Sequence, residues 1–454
     1  MGYSMQKKGG DSLKTIFFLA CVVYTLYSLV KNEEKGIIVF FIMAMIAPNI
    51  TIRSFTLSFE IFAFFPVVIL LYMKNRNIFK LYKKGNFRQS LWFYFFLLLF
   101  SSLISTMKYS NSINILAFFS YFRIIALIYA LYYVFKRSGY LALDKIISTV
   151  LFINVIVSII QLTFPSSINI FMDFYYKDSL TPLLGVYDLG YFSRAYGTFG
   201  TPVLLGIFSV FSFSFYMGLL ADKLICKKVI MKVGASLSLG LMALSKTVVI
   251  GIPAILALYY VMALFGVIKV KNRKILAFPL LIAPIALLTI KYLEQKGIFI
   301  MWYLNFLFKP FESLSTRYSA STGILKDTYS VIFNNLFFGV GLTNVDNTFA
   351  GDSMYINILY TTGLIGLVIL IAIMFSPTIS IIKARNGTSI MILMSFLMAG
   401  FAAPVHVEII ALPFIAYIIV AAETFTIKRR IKKFNHKNNM SLINGISVNE
   451  VGET

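Results

Sequence analysis

The residues of this chain best suited to chemistry are a few cations set beside short turns. In Tyr191-Phe-Ser-Arg194-Ala-Tyr-Gly197-Thr198-Phe199-Gly200-Thr201-Pro202, an arginine precedes a Gly-rich turn and a proline. Proline near the first helical position is ordinary helix-start chemistry, and it aims backbone N–H groups and a positive dipole end at the arginine's side. Arg194 there makes an anion site; pairing with Asp188 or reaching for lipid headgroups is the alternative. A second cation lies in Leu244-Ser245-Lys246-Thr247 between two apolar runs, where it either meets an anion or snorkels. The third, in Ser315-Thr316-Arg317-Tyr318, is a candidate anion ligand or a partner for Glu312. Farther on, Asn335-Leu-Phe-Phe-Gly339-Val-Gly341 offers a turn that could cradle phosphate or be only a turn. Gly351-Asp352-Ser353-Met354-Tyr355 then opens a helix, so that Asp352 either caps it or takes a proton from a hydroxyl.

The elements that must position these residues follow from composition. The 454 residues are 59% hydrophobic and 13% charged, about half the charge of an ordinary soluble domain, which marks an all-α polytopic integral membrane protein. The net charge of +23 invites a nucleic-acid reading, but the cations fall in short clusters between apolar runs, the pattern of cytoplasmic loops. Two cysteines, Cys21 and Cys226, and two distant histidines, His406 and His436, offer neither a disulfide framework nor a metal site, and no cofactor is expected. The basic start (Lys7, Lys8, Lys14) before an apolar run lacks a small-residue cleavage site and reads as an uncleaved anchor.

Thirteen apolar runs approach the length of a membrane crossing, at about 15–30, 36–50, 55–73, 90–106, 115–135, 146–164, 202–220, 229–244, 248–268, 275–292, 362–381, 389–403 and 407–426. Basic connections at 74–89, 136–145, 221–232, 269–274 and 383–385 assign one face as cytoplasmic. Thirteen crossings would put the N-terminal lysines on the opposite face, so about twelve transmembrane helices with both ends cytoplasmic are expected, one early run not crossing. Residues 1–426 form a single polytopic domain, and 427–454 a basic, disordered cytoplasmic tail. Two longer connections, 165–201 and 293–361, face outward and carry eight of the 18 acids; connections of that length are usually functional. Amphipathic surface helices are expected near 298–308 and 324–337. Glu60, an acid inside the third run, should face the bundle or a cavity.

This order of features resembles the bacterial O-antigen polymerase (Wzy) and O-antigen ligase superfamily over about residues 90–430. The matching residues are R-x-x-G-T-F-x-x-P at Arg194–Pro202, the Ser245-Lys246 pair, Arg317, N-x-x-x-G-x-G at Asn335–Gly341, and the polar pair Asp352-Ser353. The resemblance implies a metal-independent, GT-C-like membrane glycosyltransferase of the bacterial inner membrane. It would act at the periplasmic face on undecaprenyl-diphosphate-linked oligosaccharide, the repeat unit of a surface polysaccharide such as the O antigen of lipopolysaccharide. A His-Asn type pair commonly opens the helix after the large loop in the ligase branch; Asp352-Ser353 here favours the polymerase. Lys246 stands where arginine is frequent, keeping the charge without the bidentate fork.

The implied site has Arg194, Arg317 and Asp352 as catalytic residues, and Lys246, Gly197, Thr198, Gly339, Gly341 and Tyr355 as substrate contacts. The two arginines, with Lys246, would stabilise the departing diphosphate electrostatically, and Asp352 would orient or deprotonate the acceptor hydroxyl. One displacement at the anomeric carbon gives inversion. The outer loops contain no D-x-D or comparable carboxylate cluster to hold a divalent metal. Expected partners are the lipid-linked oligosaccharide, membrane lipid and a chain-length regulator. A ligase transferring glycan to lipid A-core and a flippase or transporter for the same lipid-linked sugars are the competing functions; the latter calls for charges inside the bundle and broken helices.

Overall fold

The computed structural model describes residues 2–52, 55–74, 86–164, 170–171, 174–175, 194–222, 227–268, 319, 325–343, 345 and 353–424. Within these, the apolar runs become helices: α1 Gly2–Lys31, α2 Glu33–Ile46, α3 Phe59–Phe62, α4 Phe64–Lys74, α5 Asn86–Tyr109, α6 Ile115–Ser138, α7 Tyr140–Thr163, α8 Pro202–Asp222, α9 Lys227–Ala243 and α10 Lys246–Leu264. After these come α11 Lys326–Asn334, α12 Met354–Ala384, α13 Gly387–Ala399 and α14 Leu412–Thr424. Seven are long and apolar enough to cross a membrane: α1, α5, α6, α7, α8, α10 and α12. The run at 275–292, the amphipathic stretch at 298–308 and the tail lie outside the described residues. One departure from an all-α chain is a short antiparallel hairpin, β1 Ile50–Ile52 with β2 Phe55–Leu57, in the register Ile50 opposite Leu57.

Helix α8 forms the centre, with most of its length buried. It packs against α9, α10 and α13, and Phe211 lies 4.9 Å from the ring of Phe414 on α14. Between helices in lipid the hydrophobic effect supplies no attraction, so close approach and interhelical hydrogen bonds must do it. Ser209 on α8 accordingly donates to the carbonyl of Ser236 on α9 at 2.7 Å. At its end, Asp222 accepts from the amides of Gly387 and Thr388 and from the Thr388 hydroxyl, at 2.9, 2.8 and 2.7 Å. A carboxylate borrowed from one helix thus satisfies the first turn of another, where both the open amides and the dipole favour it.

The start of the chain departs from expectation. Both early runs are helices, and α1 packs on α2 and α4. The turn between α1 and α2 sits at the basic end of the bundle, because Glu33 and Glu34 accept hydrogen bonds from Tyr133 and Ser138 in the last two turns of α6. Lys74, ending α4, donates to the Leu29 carbonyl there at 3.2 Å. Helix α1 therefore begins at the opposite end, where Phe17 meets Phe174 of the first long connection at 5.8 Å. The start of α1 thus lies away from the basic turns, and the bonds at the α1–α2 turn fix the direction of the helix.

Candidate functional site

Arg194 and Lys246 are brought to one junction. The segment 194–201 lies over the turn between α9 and α10: the Ala195 amide donates to Met242 O at 3.0 Å, and Arg194 Nε to Ala243 O at 3.3 Å. Helix α10 opens with Ser245 as N-cap, its Oγ accepting from the Val248 amide, and with Lys246 as its first residue. A cation in a first turn opposes the helix dipole, so Lys246 gains nothing from the dipole of α10. The turn also holds Leu244 at φ +44°, a conformation bulky residues rarely adopt and one that concentrates at functional sites.

Helix α7 clamps this segment from beneath. Gln161 Oε1 accepts from the amides of Tyr196 and Gly197 at 3.1 and 3.0 Å, and its Nε2 donates to Gly197 O at 3.2 Å. Asn154 Oδ1 accepts from the Thr198 amide at 2.8 Å, and the Thr198 hydroxyl donates to Met45 O at 2.7 Å. Gly197 has φ +58°, and a Cβ there would stand 2.1 Å from Asn154 Oδ1. The amides of Gly197 and Thr198 are thus committed to the fold, and what they contribute is the rigid placement of Arg194. Asn154 and Gln161, both fully buried, were missed in the sequence; two amide side chains two turns apart on the α7 run were the available signal.

The glycine pair has a different role from cradling phosphate. Helix α12 is broken at Gly363, with φ +64° and ψ −162°, and the loop 335–343 fills the break. Val340 and Gly341 donate to Tyr360 O and Thr361 O at 2.8 and 2.7 Å, while Leu364 and Ile365 donate to Leu336 O and Phe337 O at 2.8 and 3.2 Å. Backbone freed from a helix at membrane depth has to find partners in the protein, and this loop supplies them. The Gly339 amide donates to Asn335 O, so the amides at 339–341 are taken and none is left for a phosphate. Asn335 itself is fixed by donating to Tyr109 Oη at 2.8 Å and accepting from Lys108 at 3.0 Å. The expected helix near 324–337 is α11, with Thr328, Val331 and Ile332 buried.

This packing carries a prediction. Gly341 has φ +65° and faces the backbone of Ser102 so closely that a Cβ would lie 2.3 Å from its Cα. Gly139 has φ +57° with nothing within 4 Å of a Cβ. Both alanine variants incur backbone strain of about 1–2 kcal/mol, but only Gly341→Ala must also push a helix aside. Its thermal midpoint in detergent falls well below that of Gly139→Ala; equal midpoints would mean the loop does not sit in the break.

Arg317 and Asp352 lie outside the described residues. The helix start that follows Asp352 is placed against the end of α13: the Met354 amide and Ser353 Oγ donate to Gly400 O at 2.7 and 3.2 Å, and the Tyr355 hydroxyl donates to Leu397 O at 2.8 Å. The hydroxyl proton of Tyr355 is therefore already committed.

A second polar group lies inside the bundle. Glu60, expected to face inward, stands 3.6 Å from Arg123 Nη1 of α6, both side chains largely buried. Arg123 Nε and Nη1 have no hydrogen-bond acceptor. Glu408, in the non-helical connection 400–411, lies close enough to feel both. Burial, with Glu60 adding to it and Arg123 opposing, pushes the Glu408 carboxyl up to about 7. His406 in the same connection is held down at about 4 by burial and stays neutral. Arg123 was the legible residue missed in the sequence, a lone cation in an apolar run.

The raised Glu408 pKa fixes a sign. Because the folded state favours the protonated carboxyl, its contribution to stability is complete below the ordinary value of 4.5 and is lost as the pH rises through about 7. The gap corresponds to about 3 kcal/mol at most. Melting in detergent from pH 4.5 to 8 should show this loss, and Glu408→Gln should flatten it; an unchanged slope in the variant would assign the dependence to other groups.

Comparison with protein-family profiles finds no match, and comparison with curated proteins finds none either.

Proposed function

We propose that this protein is a membrane polysaccharide polymerase, joining undecaprenyl-diphosphate-linked oligosaccharide units by glycosyl transfer at the outer face of a bacterial inner membrane. The observation that carries the reading is that Arg194 is bonded to the strained turn that leads into Lys246, at the end of the bundle opposite the basic connections. Two cations fixed at a water-poor edge are suited to a departing diphosphate, whose charge develops in the transition state. Arg317 would complete the clamp, and Asp352, two residues ahead of α12 in the sequence, would orient or deprotonate the acceptor hydroxyl. The C1–O bond to the carrier diphosphate breaks as the acceptor oxygen bonds to C1, with inversion; the hydroxyl proton passes to Asp352 and the carrier diphosphate leaves. A GT-C-like arrangement fits this chemistry.

A second reading has its own support. A flippase for the same lipid-linked sugars calls for interior charges and interrupted helices; Arg123, Glu60 and Glu408 supply the first and the break at Gly363 the second. Deleting the gene and resolving the cell's surface polysaccharide on a gel separates the two. Loss of the ladder with a surviving core-plus-one-repeat band supports the polymerase. Loss of all repeat units points to the flippase or a ligase, according to whether lipid-linked units accumulate inside or outside the membrane. An unchanged ladder would sink the glycan reading.

A further inference from the structure

Between α5, α6, α12, α13 and α14 lies a crevice of about 840 Å³, its open mouth included. Tyr94 on α5, Ile124 and Ile128 on α6, Leu370 on α12 and Ile418 on α14 are among its walls, which are almost entirely apolar. Three wall residues carry polar atoms, Tyr94, Tyr121 and His406; His406, at the end where the connection 400–411 closes the space, lines the crevice with both ring nitrogens buried and without a hydrogen-bond partner.

We propose that this crevice is a binding site for one acyl chain of a membrane phospholipid, whose ester region hydrogen-bonds His406. The proposal is independent of the glycosyl-transfer reading. Three observations choose the occupant. Most of the wall residues belong to α5, α6 and α12, helices long and apolar enough to span a membrane, so what fills the space comes from the bilayer; an apolar cavity of this kind does not hold water. The wall contributed by α6 runs from Tyr121 to Ile128, about 10 Å at 1.5 Å per residue. That is most of one leaflet's hydrocarbon, about 15 Å, the reach of a single acyl chain and far short of a polyprenyl tail. A neutral imidazole offers one donor and one acceptor, and the carbonyl of a glycerol ester takes the donor without bringing a charge into the bundle.

The test uses the full chain in vesicles of phosphatidylethanolamine and phosphatidylglycerol containing a phospholipid with a photoreactive diazirine in mid-chain. Labelling should concentrate on peptides carrying Ile124–Ile128 and Ile415–Ile419, above that at the exposed side chains Phe96 and Val368. Ile124→Trp, which displaces at least two methylenes, should lower the crevice label about tenfold, and His406→Ala should lower it too. Crevice labelling no higher than at Phe96 and Val368 overturns the proposal, as does an undiminished label in a folded Ile124→Trp variant. If that variant fails to fold, the wild-type pattern still decides. A polyprenyl phosphate with the same diazirine that labels these peptides where the phospholipid does not would also overturn it.

Discussion

Replacing Arg123 with leucine lowers the stability of the detergent-solubilised protein by about 3–5 kcal/mol, and replacing Glu60 with leucine as well recovers most of the loss. Arg123 lies eight residues beyond the start of α6 at Ile115, roughly 12 Å along the helix, and its partner is largely buried. Removing the cation alone leaves Glu60 in a low-dielectric interior with Glu408 nearby, two like charges without a counter-ion. Removing both members of the pair removes the need for compensation, which is why buried ion pairs can often be replaced whole at little cost. At pH 5, where Glu408 is protonated, the single variant should lose less than at pH 8. Unfolding in denaturant measures each variant; a single variant no less stable than the double would show that Arg123 and Glu60 do not depend on one another.

Arg194→Ala should reduce polymer extension by about 10²–10³, the effect of removing one preorganised charge-stabilising donor, with a far smaller effect on the thermal midpoint. The separation of the two effects follows from the construction of the turn. Its shape is held by Gln161 and Asn154 through the amides of residues 196–198, so the arginine side chain can be removed without freeing the backbone. Arg194→Lys should fall between wild type and alanine, keeping the charge but losing the planar fork. Extension by repeat-unit count per chain is the measurement; full activity in a normally expressed Arg194→Ala protein would remove the clamp from the mechanism.

The membrane class was legible in composition alone, because too few charges remain to solvate a surface, and the helices follow the apolar runs closely. Arg194 and Lys246 could be singled out because cations at that end of the bundle have no statistical reason to be there. That Arg194 would lie over the turn before Lys246 was not legible: its placement depends on how far α9 and α10 extend and on a clamp from α7. The glycine pair misled for a related reason. A G-x-G pattern reads as an anion-binding turn when its amides are free, and here they pair with a break at Gly363, 22 residues beyond Gly341. Glu60 announced itself as a charge within an apolar run, and Arg123 satisfied the same criterion; which charge would meet which was decided by tertiary packing. The direction of α1 relative to the other helices was not legible, because it rests on bonds from two glutamates at its turn to the end of α6, which only tertiary packing makes.

The measurement that bears most directly on the central claim is reconstitution of the purified protein into liposomes loaded with radiolabelled undecaprenyl-diphosphate repeat units. Glycosyl transfer predicts a ladder of linked units and one undecaprenyl diphosphate released for each linkage formed, both reduced together in Arg194→Ala. Movement of the labelled lipid across the bilayer with no linkage and no released carrier would contradict it, and would assign the interior charges and the broken helix to transport.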